Sequence, residues 1–324
     1  MSEFDLIRRL QENFRADPGD GSPACVVGIG DDGAVLDIPE GKQLVVTSDT
    51  LVDDVHFSTG TDAANLGRKA LAVSLSDLAS MGAEPAWFFL ALTLPLHDQS
   101  WLDQFAQGMA ELARSRAITL AGGDTTSGPL SITITAMGLV ESGQALTRAG
   151  ARNGDLVAVS GCLGDAAHAL AMLQSGETPD PVSRAALECP EPRLQLGRLL
   201  RGLATSCIDI SDGLIADVGH ILEASAAGAE IDIERLPFSP QLAGLPGKQK
   251  WELQTGGGDD YELCFTLPED RQEELDKIAR ESGSPLTIIG KINSSGVLVC
   301  RMADGTVYKP RASGYNHFPE KSAQ

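Results

Sequence analysis

The aspartates of this sequence gather beside glycines. Asp31-Asp32, Asp49, Asp124, Asp209, Asp212 and Asp259-Asp260 fall where strand-like apolar runs end or pass into loops, and most have glycine within two positions. Asp77 sits inside an otherwise apolar helical stretch. Carboxylates are costly to bury unless they are paired or bind a metal. Several of them placed where strands end predict a convergent site at one edge of a sheet, with cations to relieve the repulsion. Oxygen donors without a His/Cys set favour Mg²⁺ over zinc. Mg²⁺ held by carboxylates completes its shell with water and substrate phosphates. The chemistry this points to is nucleotide-dependent phosphoryl transfer.

Each element has a plainer reading. Gly30-Asp31-Asp32-Gly33 alone reads as a turn. Ser211-Asp212 suits the cap of the helix that follows. Asp77 reads equally as a buried acid bonded to Ser74 or Ser80. His56 reads as structural, Arg148 as a linker charge and Tyr315 as packing for the C-terminus. The joint occurrence decides for a site, because so many acidic junctions together with an acid inside a helix are poorly explained as turns. Other phosphate-binding devices are missing: no G-x-x-x-x-G-K-[ST] loop, no G-x-G-x-x-G opening a helix after a strand, and no H-R-D or D-F-G signature. Phosphates are therefore expected to be held by metals, glycine N–H groups and a few cations such as Arg148.

The elements that must position these residues alternate between strand and helix, which gives a mixed α/β class. A short helix is expected over 4–14, and a glycine-acid turn interrupts 26–38. The run 44–48 reads as a buried strand ending at Asp49. Leu71, Leu75 and Leu78 recur at helical spacing over 62–81, with Gly82 as the stop. Strand 85–94, helix 99–116, a short strand 118–120 entering the loop 121–126, and strand 130–140 follow. A polar stretch over 141–155 marks the domain boundary, giving domains 1–148 and 149–324. Beyond it come strands 156–160, 207–210, 229–233, 261–267, 286–292 and 297–302. Helices are expected over 161–173 (after its opening glycines), 191–203, 269–281 and from Gly213 to about 226. Residues 211–218 echo 48–55 weakly, which is no repeat period.

Composition narrows the ligand. The chain has 324 residues, or about two domains at roughly 150 residues each. Its 45 acidic against 25 basic residues give a formal charge of −20. Such a surface repels phosphate backbones and anionic membranes, so neither nucleic acid nor a membrane is expected as a partner. The apolar run 85–96 is too short to span a bilayer, which needs about 20 residues. The first residues carry acids where a signal peptide would carry a basic segment. Six scattered cysteines without a C-x-x-C pair fit a reduced, cytoplasmic protein.

Eight motifs occur in order: Gly28-Ile29-Gly30-Asp31-Asp32; Thr47-Ser48-Asp49-Thr50-Leu51-Val52 with His56-Phe57; residues 69–83 around Ser76-Asp77-Leu78; Gly122-Gly123-Asp124-Thr125-Thr126; Leu146-Thr147-Arg148; Ile208-Asp209-Ile210-Ser211-Asp212-Gly213-Leu214; Gly257-Gly258-Asp259-Asp260-Tyr261-Glu262-Leu263; and Gly314-Tyr315-Asn316-His317-Phe318. Over about residues 4–318 this set resembles the bacterial thiamine-monophosphate kinases, within the aminoimidazole ribonucleotide synthetase-like ATP-binding superfamily. The resemblance implies an N-terminal α/β domain that pairs its sheet with a twin in a homodimer, a C-terminal α/β domain, and several Mg²⁺ ions. It implies the reaction ATP + thiamine phosphate → ADP + thiamine diphosphate. Matched motif by motif, Asp32, Asp49, Asp77, Asp124, Asp209 and Asp212 resemble metal-binding carboxylates, with Thr47 and Ser48 supplying further oxygens. Gly123, Arg148 and Ser211 resemble ATP phosphate contacts, and His56, Asp259 and Tyr315 resemble thiamine contacts. The resemblance makes Asp49, Asp77, Asp124 and Asp212 the expected catalytic set. Asp259 stands where the family usually has Glu, one methylene longer, and Gly33 where a small residue with a Cβ is common.

The rival readings are a selenide dikinase, the ribonucleotide cyclo-ligase or a hydrogenase-maturation dehydratase of the same superfamily, and a non-catalytic divalent-cation-binding protein. The residues around Cys25 do not resemble the dikinase loop. The chain ends Glu320-Lys321-Ser322-Ala323-Gln324 without the dehydratase's cysteine, and no EF-hand loop is present.

Overall fold

A computed structural model of the chain describes residues 13–14, 24–95, 98–311 and 314–315. The helix expected over 4–14 falls almost wholly outside these residues, as do Asn316, His317 and Phe318. The chain divides into two compact units, Met1–Ala145 and Leu146–Gln324.

In the first unit, strands β1 (Cys25–Val27) and β2 (Val35–Leu36) form a small hairpin. β3 (Lys42–Val52), helix α1 (Ala63–Ser80), β4 (Glu84–Leu94), helix α2 (Gln99–Ser115), β5 (Thr119–Ser127) and β6 (Ser131–Glu141) follow. The sheet order is β3-β6-β4-β5, with β4 and β5 parallel and the other pairs antiparallel. Asp62 caps α1, accepting the Asn65 N–H at 3.0 Å, and Gly82 ends it with a φ of 66°. The two helices lie close at glycines. A Cβ on Gly67 would stand 2.0 Å from the Phe105 carbonyl oxygen, and one on Gly108 would stand 1.9 Å from that of Ala64. Trp87, Phe88, Phe105 and the α1 leucines are fully buried, each stabilising the unit by about 1.5–3 kcal/mol.

Two sequence expectations fail here for one reason. β3 does not end at Asp49, and it is not buried on both faces; it runs on to Val52 with alternating burial. The segment 121–126 is strand and not loop. Both acids therefore lie within strands, at the two outer edges of the sheet. An edge strand with one covered face tolerates polar residues on its open face. The two glycines of β5 fit a bulge opposite Phe88/Phe89, where a Cβ on Gly123 would meet the Leu90 carbonyl at 1.9 Å.

The second unit is built on a seven-stranded sheet, in the order β13-β12-β9-β11-β7-β10-β8. In chain order its elements are β7 (Leu156–Ser160), α3 (Asp165–Gln174), α4 (Pro181–Glu188), α5 (Leu194–Leu200), β8 (Ser206–Asp209), α6 (Leu214–Ser225), β9 (Gly228–Asp232), α7 (Gly247–Gly256), β10 (Leu263–Leu267), α8 (Leu275–Ser282), β11 (Leu286–Asn293), β12 (Leu298–Arg301) and β13 (Val307–Tyr308). Only β9 and β12 pair in parallel; the rest are antiparallel. α4 and α7 were not foreseen. Pro181 opens α4 and two glycines bound α7, residues that read as punctuation. The helix expected over 191–203 is shorter, because Pro192 precedes it and Gly202 follows. The strand expected from Tyr261 begins at Leu263, because Tyr261 has a φ of 49°. The helix expected over 269–281 opens with six 3-10 residues before α8. The echoing segments 48–55 and 211–218 adopt different structures, a strand with its following turn and a loop entering a helix.

Candidate active site

In the first unit the structure joins three of the expected residues. Alternation along β3 turns Thr47, Asp49 and Leu51 to one face and Ser48 and Thr50 to the other. On the helix-covered face the Thr47 hydroxyl donates to the Asp77 carboxylate from α1. The Ser74 hydroxyl, one turn earlier on α1, donates to Asp49 Oδ2 at 2.6 Å. Asp77 thus bonds to Thr47, and the Ser80 hydroxyl donates to the Asp77 backbone carbonyl at 2.9 Å. Ser74 was overlooked as a partner of Asp49, since no spacing rule links a helix serine to a strand 25 residues earlier. Burial pushes the Asp49 carboxyl above its ordinary range, and the Ser74 hydrogen bond pulls the other way. A half-buried oxygen cluster whose Asp49 carboxylate is disfavoured by its surroundings suits a hard divalent cation.

Other expected residues stand apart from this cluster. The Ser48 hydroxyl lies on the opposite face, 3.0 Å from Thr135 Oγ1, and Thr50 pairs likewise with Thr133 at 2.9 Å. Asp124 is in register with Ala91, which is in register with Thr133, so it shares that open face. It belongs to β5, three strand spacings from β3, or roughly 14 Å at about 4.8 Å each. Gly123 precedes it with a φ of 156°. Asp32 is exposed in the β1–β2 hairpin loop, its N–H donating to Asp31 Oδ1 at 2.9 Å. His56 is half-buried after β3 and its Nδ1 accepts the Val52 N–H at 3.0 Å. The nearly buried Lys69 donates to the His56 carbonyl at 3.4 Å.

In the second unit three segments are stitched together by backbone hydrogen bonds. Asp209 is buried at the end of β8, and the loop Ile210-Ser211-Asp212-Gly213 leads into α6. The Tyr261 N–H donates to the Ile210 carbonyl at 2.8 Å, the Asp259 N–H to Ser211 at 2.9 Å, and the Tyr315 N–H to Asp212 at 2.9 Å. Ser211, Asp212, Asp259 and Tyr315 are therefore gathered. A Cβ on Gly258 would stand 2.4 Å from the Ser211 carbonyl, which explains the glycine. Asp259 and Tyr261 both have positive φ, 66° and 49°, a strained pair of the kind that marks functional loops. The Tyr261 hydroxyl donates to Asp259 Oδ1 at 3.0 Å and so orients the short carboxylate.

The next residues anchor this loop. Glu262 accepts from Arg193 Nε at 2.8 Å and Nη2 at 2.5 Å, and from the Ser160 hydroxyl at 2.5 Å. Asp260 accepts the Gly164 N–H at 3.0 Å; burial, together with Glu262, Asp165 and Asp259, lifts its carboxyl well above its ordinary range. Arg148 is exposed, and its backbone carbonyl accepts from Ser225 at 3.4 Å. Sequence reasoning missed Asp217, which accepts the N–H groups of Ser211, Asp212 and Gly213. The available signal was an acid in the first turn of α6.

The sequence and the fold are similar to those of known proteins. The AIR synthase related N-terminal domain matches residues 30–140 and the corresponding C-terminal domain residues 152–302. Over 323 residues the chain is 45% identical to the thiamine-monophosphate kinase of Escherichia coli K12, covering 98% of each. The chain belongs to the thiamine-monophosphate kinase family. The structure of that family's member from Stenotrophomonas maltophilia K279a is 44% identical with a TM-score of 0.85, covering 95% of this chain and 98% of that one. AaThiL complexed with AMPPCP and TMP is 28% identical with a TM-score of 0.75, covering 97% of both chains. The two-domain fold shared with these kinases is the one the sequence resemblance implied. Among the described residues no helix is long and apolar enough to cross a membrane.

Proposed function

We propose that this protein transfers the γ-phosphoryl group of ATP to thiamine monophosphate, giving ADP and thiamine diphosphate. The observation that carries the reading is the 45% identity to a thiamine-monophosphate kinase over both full lengths. The joined oxygen cluster of Thr47, Asp49 and Asp77 agrees with it. The superfamily rivals and the non-catalytic reading explain that full-length identity less well.

The acceptor is itself a phosphate, with a second pKa near 6, and is mostly a dianion near pH 7. It is already nucleophilic, so the chain need not supply a general base. Its task is to bring two polyanions together; two unit charges 4 Å apart repel by about 4 kcal/mol at an effective dielectric near 20. Asp49, Asp77 and Thr47, with Asp32, Ser48, Asp124, Asp209 and Asp212, would hold several Mg²⁺ ions. Bound Mg²⁺ supplies the charge neutralisation that in-line transfer requires. Gly123, Arg148 and Ser211 contact the ATP phosphates. His56, Asp259 and Tyr315 contact thiamine phosphate, with Tyr261 orienting Asp259. Transfer is direct, with no phospho-enzyme.

Two further assignments belong to this reading. The first sheet, on which Val46 is 52% exposed, pairs with that of a second copy of the chain in a homodimer. The free thiols of all six cysteines suit a reducing cytoplasm. The test is an ADP-release assay with ATP and Mg²⁺, comparing thiamine phosphate, free thiamine and no acceptor. Release that needs thiamine phosphate and stops with EDTA is expected. ADP release indifferent to thiamine phosphate would overturn the reading, and a stoichiometric phospho-enzyme would overturn direct transfer.

A further inference from the structure

Helix α6 starts without a side-chain cap, because its N-cap is Gly213 at a φ of 125°. The N–H groups of Ser211, Asp212 and Gly213 instead converge on one atom, Asp217 Oδ2, at 3.1, 3.2 and 3.1 Å. Three successive N–H groups aimed at one point form an anion-binding nest of the kind that holds phosphates. Here the anion is internal, and Asp217 is only 2% exposed. The same loop's carbonyls are also engaged, those of Ile210, Ser211 and Asp212 accepting from Tyr261, Asp259 and Tyr315. With its backbone groups so engaged, the loop turns to a ligand chiefly through the Ser211 and Asp212 side chains.

We propose that Asp217 is a positioning residue for phosphoryl transfer: it fills the backbone nest before α6, so that phosphate cannot enter, and locks the loop that aims Ser211 and Asp212. The inference rests on the functional reading above. Burial lifts the Asp217 carboxyl to about 6, and the neighbouring Asp212 adds to this; the three N–H bonds work in the other direction and hold its anionic form. Asp212, Asp217 and His220 offer ligand atoms within 4.8 Å of one another. A carboxylate oxygen already accepting three N–H bonds is better placed to orient than to ligate.

The test compares Asp217→Ala with Asp155→Ala. Asp155 is another buried acid, accepting the Arg152 N–H at 2.9 Å and the Thr205 hydroxyl at 2.6 Å. Asp217→Ala should lose about 10- to 100-fold in kcat/KM for ATP. Added formate should restore part of that loss and raise the Tm of this variant while leaving the wild-type Tm unchanged. Asp155→Ala should lose Tm and keep wild-type kcat and KM. Wild-type kcat and KM in folded Asp217→Ala, or formate moving neither its rate nor its Tm, would overturn the proposal. If Asp217→Ala does not fold, Asp217→Asn keeps the volume but removes the negative charge on which the three N–H groups converge; a several-fold rate loss at unchanged Tm supports the proposal, and wild-type kinetics overturn it. If the wild type shows no thiamine-phosphate-dependent ADP release, the functional reading fails separately. The formate effect on Tm still decides whether the nest is filled by Asp217.

Discussion

Asp49 serves two masters unequally: burial penalises its charge, while the Ser74 hydroxyl and a bound cation favour it. Asp49→Asn keeps the Ser74 contact and removes the charge. It should lower kcat by about 100-fold or more, since metal stabilisation of transferring phosphate is a matter of several kcal/mol. Its Tm in EDTA should match or exceed that of wild type, as read by thermal unfolding. Asp165, in the first turn of α3, gives a pH test away from the proposed metal ligands. Burial raises its carboxyl, with the Ser239 hydroxyl at 2.5 Å and His168 acting against this and Asp180 adding to it. A carboxyl raised in the folded state binds its proton more tightly there than in the unfolded chain. Its contribution to stability is present below the unfolded value near 3.8 and is lost as pH rises through the folded one. Urea unfolding from pH 4 to 7 should therefore show a shallower decline in Asp165→Asn than in wild type. At this scale the sequence showed where the acids fall, because charge in an apolar context is visible in one dimension. It did not show Ser74 or the Tyr261 hydroxyl, whose partners are chosen by packing.

Strand β5 shows how an element carries a site residue. Gly123 admits no Cβ, since one would lie 1.9 Å from the Leu90 carbonyl at a φ of 156°. Gly123→Ala should push β5 from β4, destabilise the protein by about 1–3 kcal/mol in urea unfolding, and lower kcat by displacing Asp124. A variant with wild-type stability would contradict the bulge as the source of the glycine. Helix α1 was legible from its leucine spacing and Gly82. β5 was not, because its glycines and acid carry the composition of a loop and only pairing with β4 makes them strand. α7 was hidden similarly, since Gly247, Gly256 and Gly257 mask a helix sustained by tertiary packing.

At the scale of the whole molecule, a −20 charge and a carboxylate-lined site predict that divalent cation and nucleotide stabilise the fold together. Mg²⁺ with a non-hydrolysable ATP analogue should raise the Tm, and EDTA should reverse the gain. Light scattering on the purified chain should give twice 34.0 kDa for the proposed homodimer, and Val46→Arg on the open face should return it to 34.0 kDa. A wild-type mass of 34.0 kDa would remove the dimer. The sequence by itself determined the composition of the site: its acids, its glycines and their order along the chain. Those are local facts, since a glycine that must take positive φ or a carboxylate set in apolar surroundings leaves its mark within a few residues. Only the tertiary structure decided which of them meet. It joined Thr47 and Asp49 to α1, set Ser48 and Asp124 on the other face, and gave the N–H groups of Ser211, Asp212 and Gly213 to Asp217. Strand register and helix docking fix those contacts, and both depend on buried surface contributed by residues far apart in the chain.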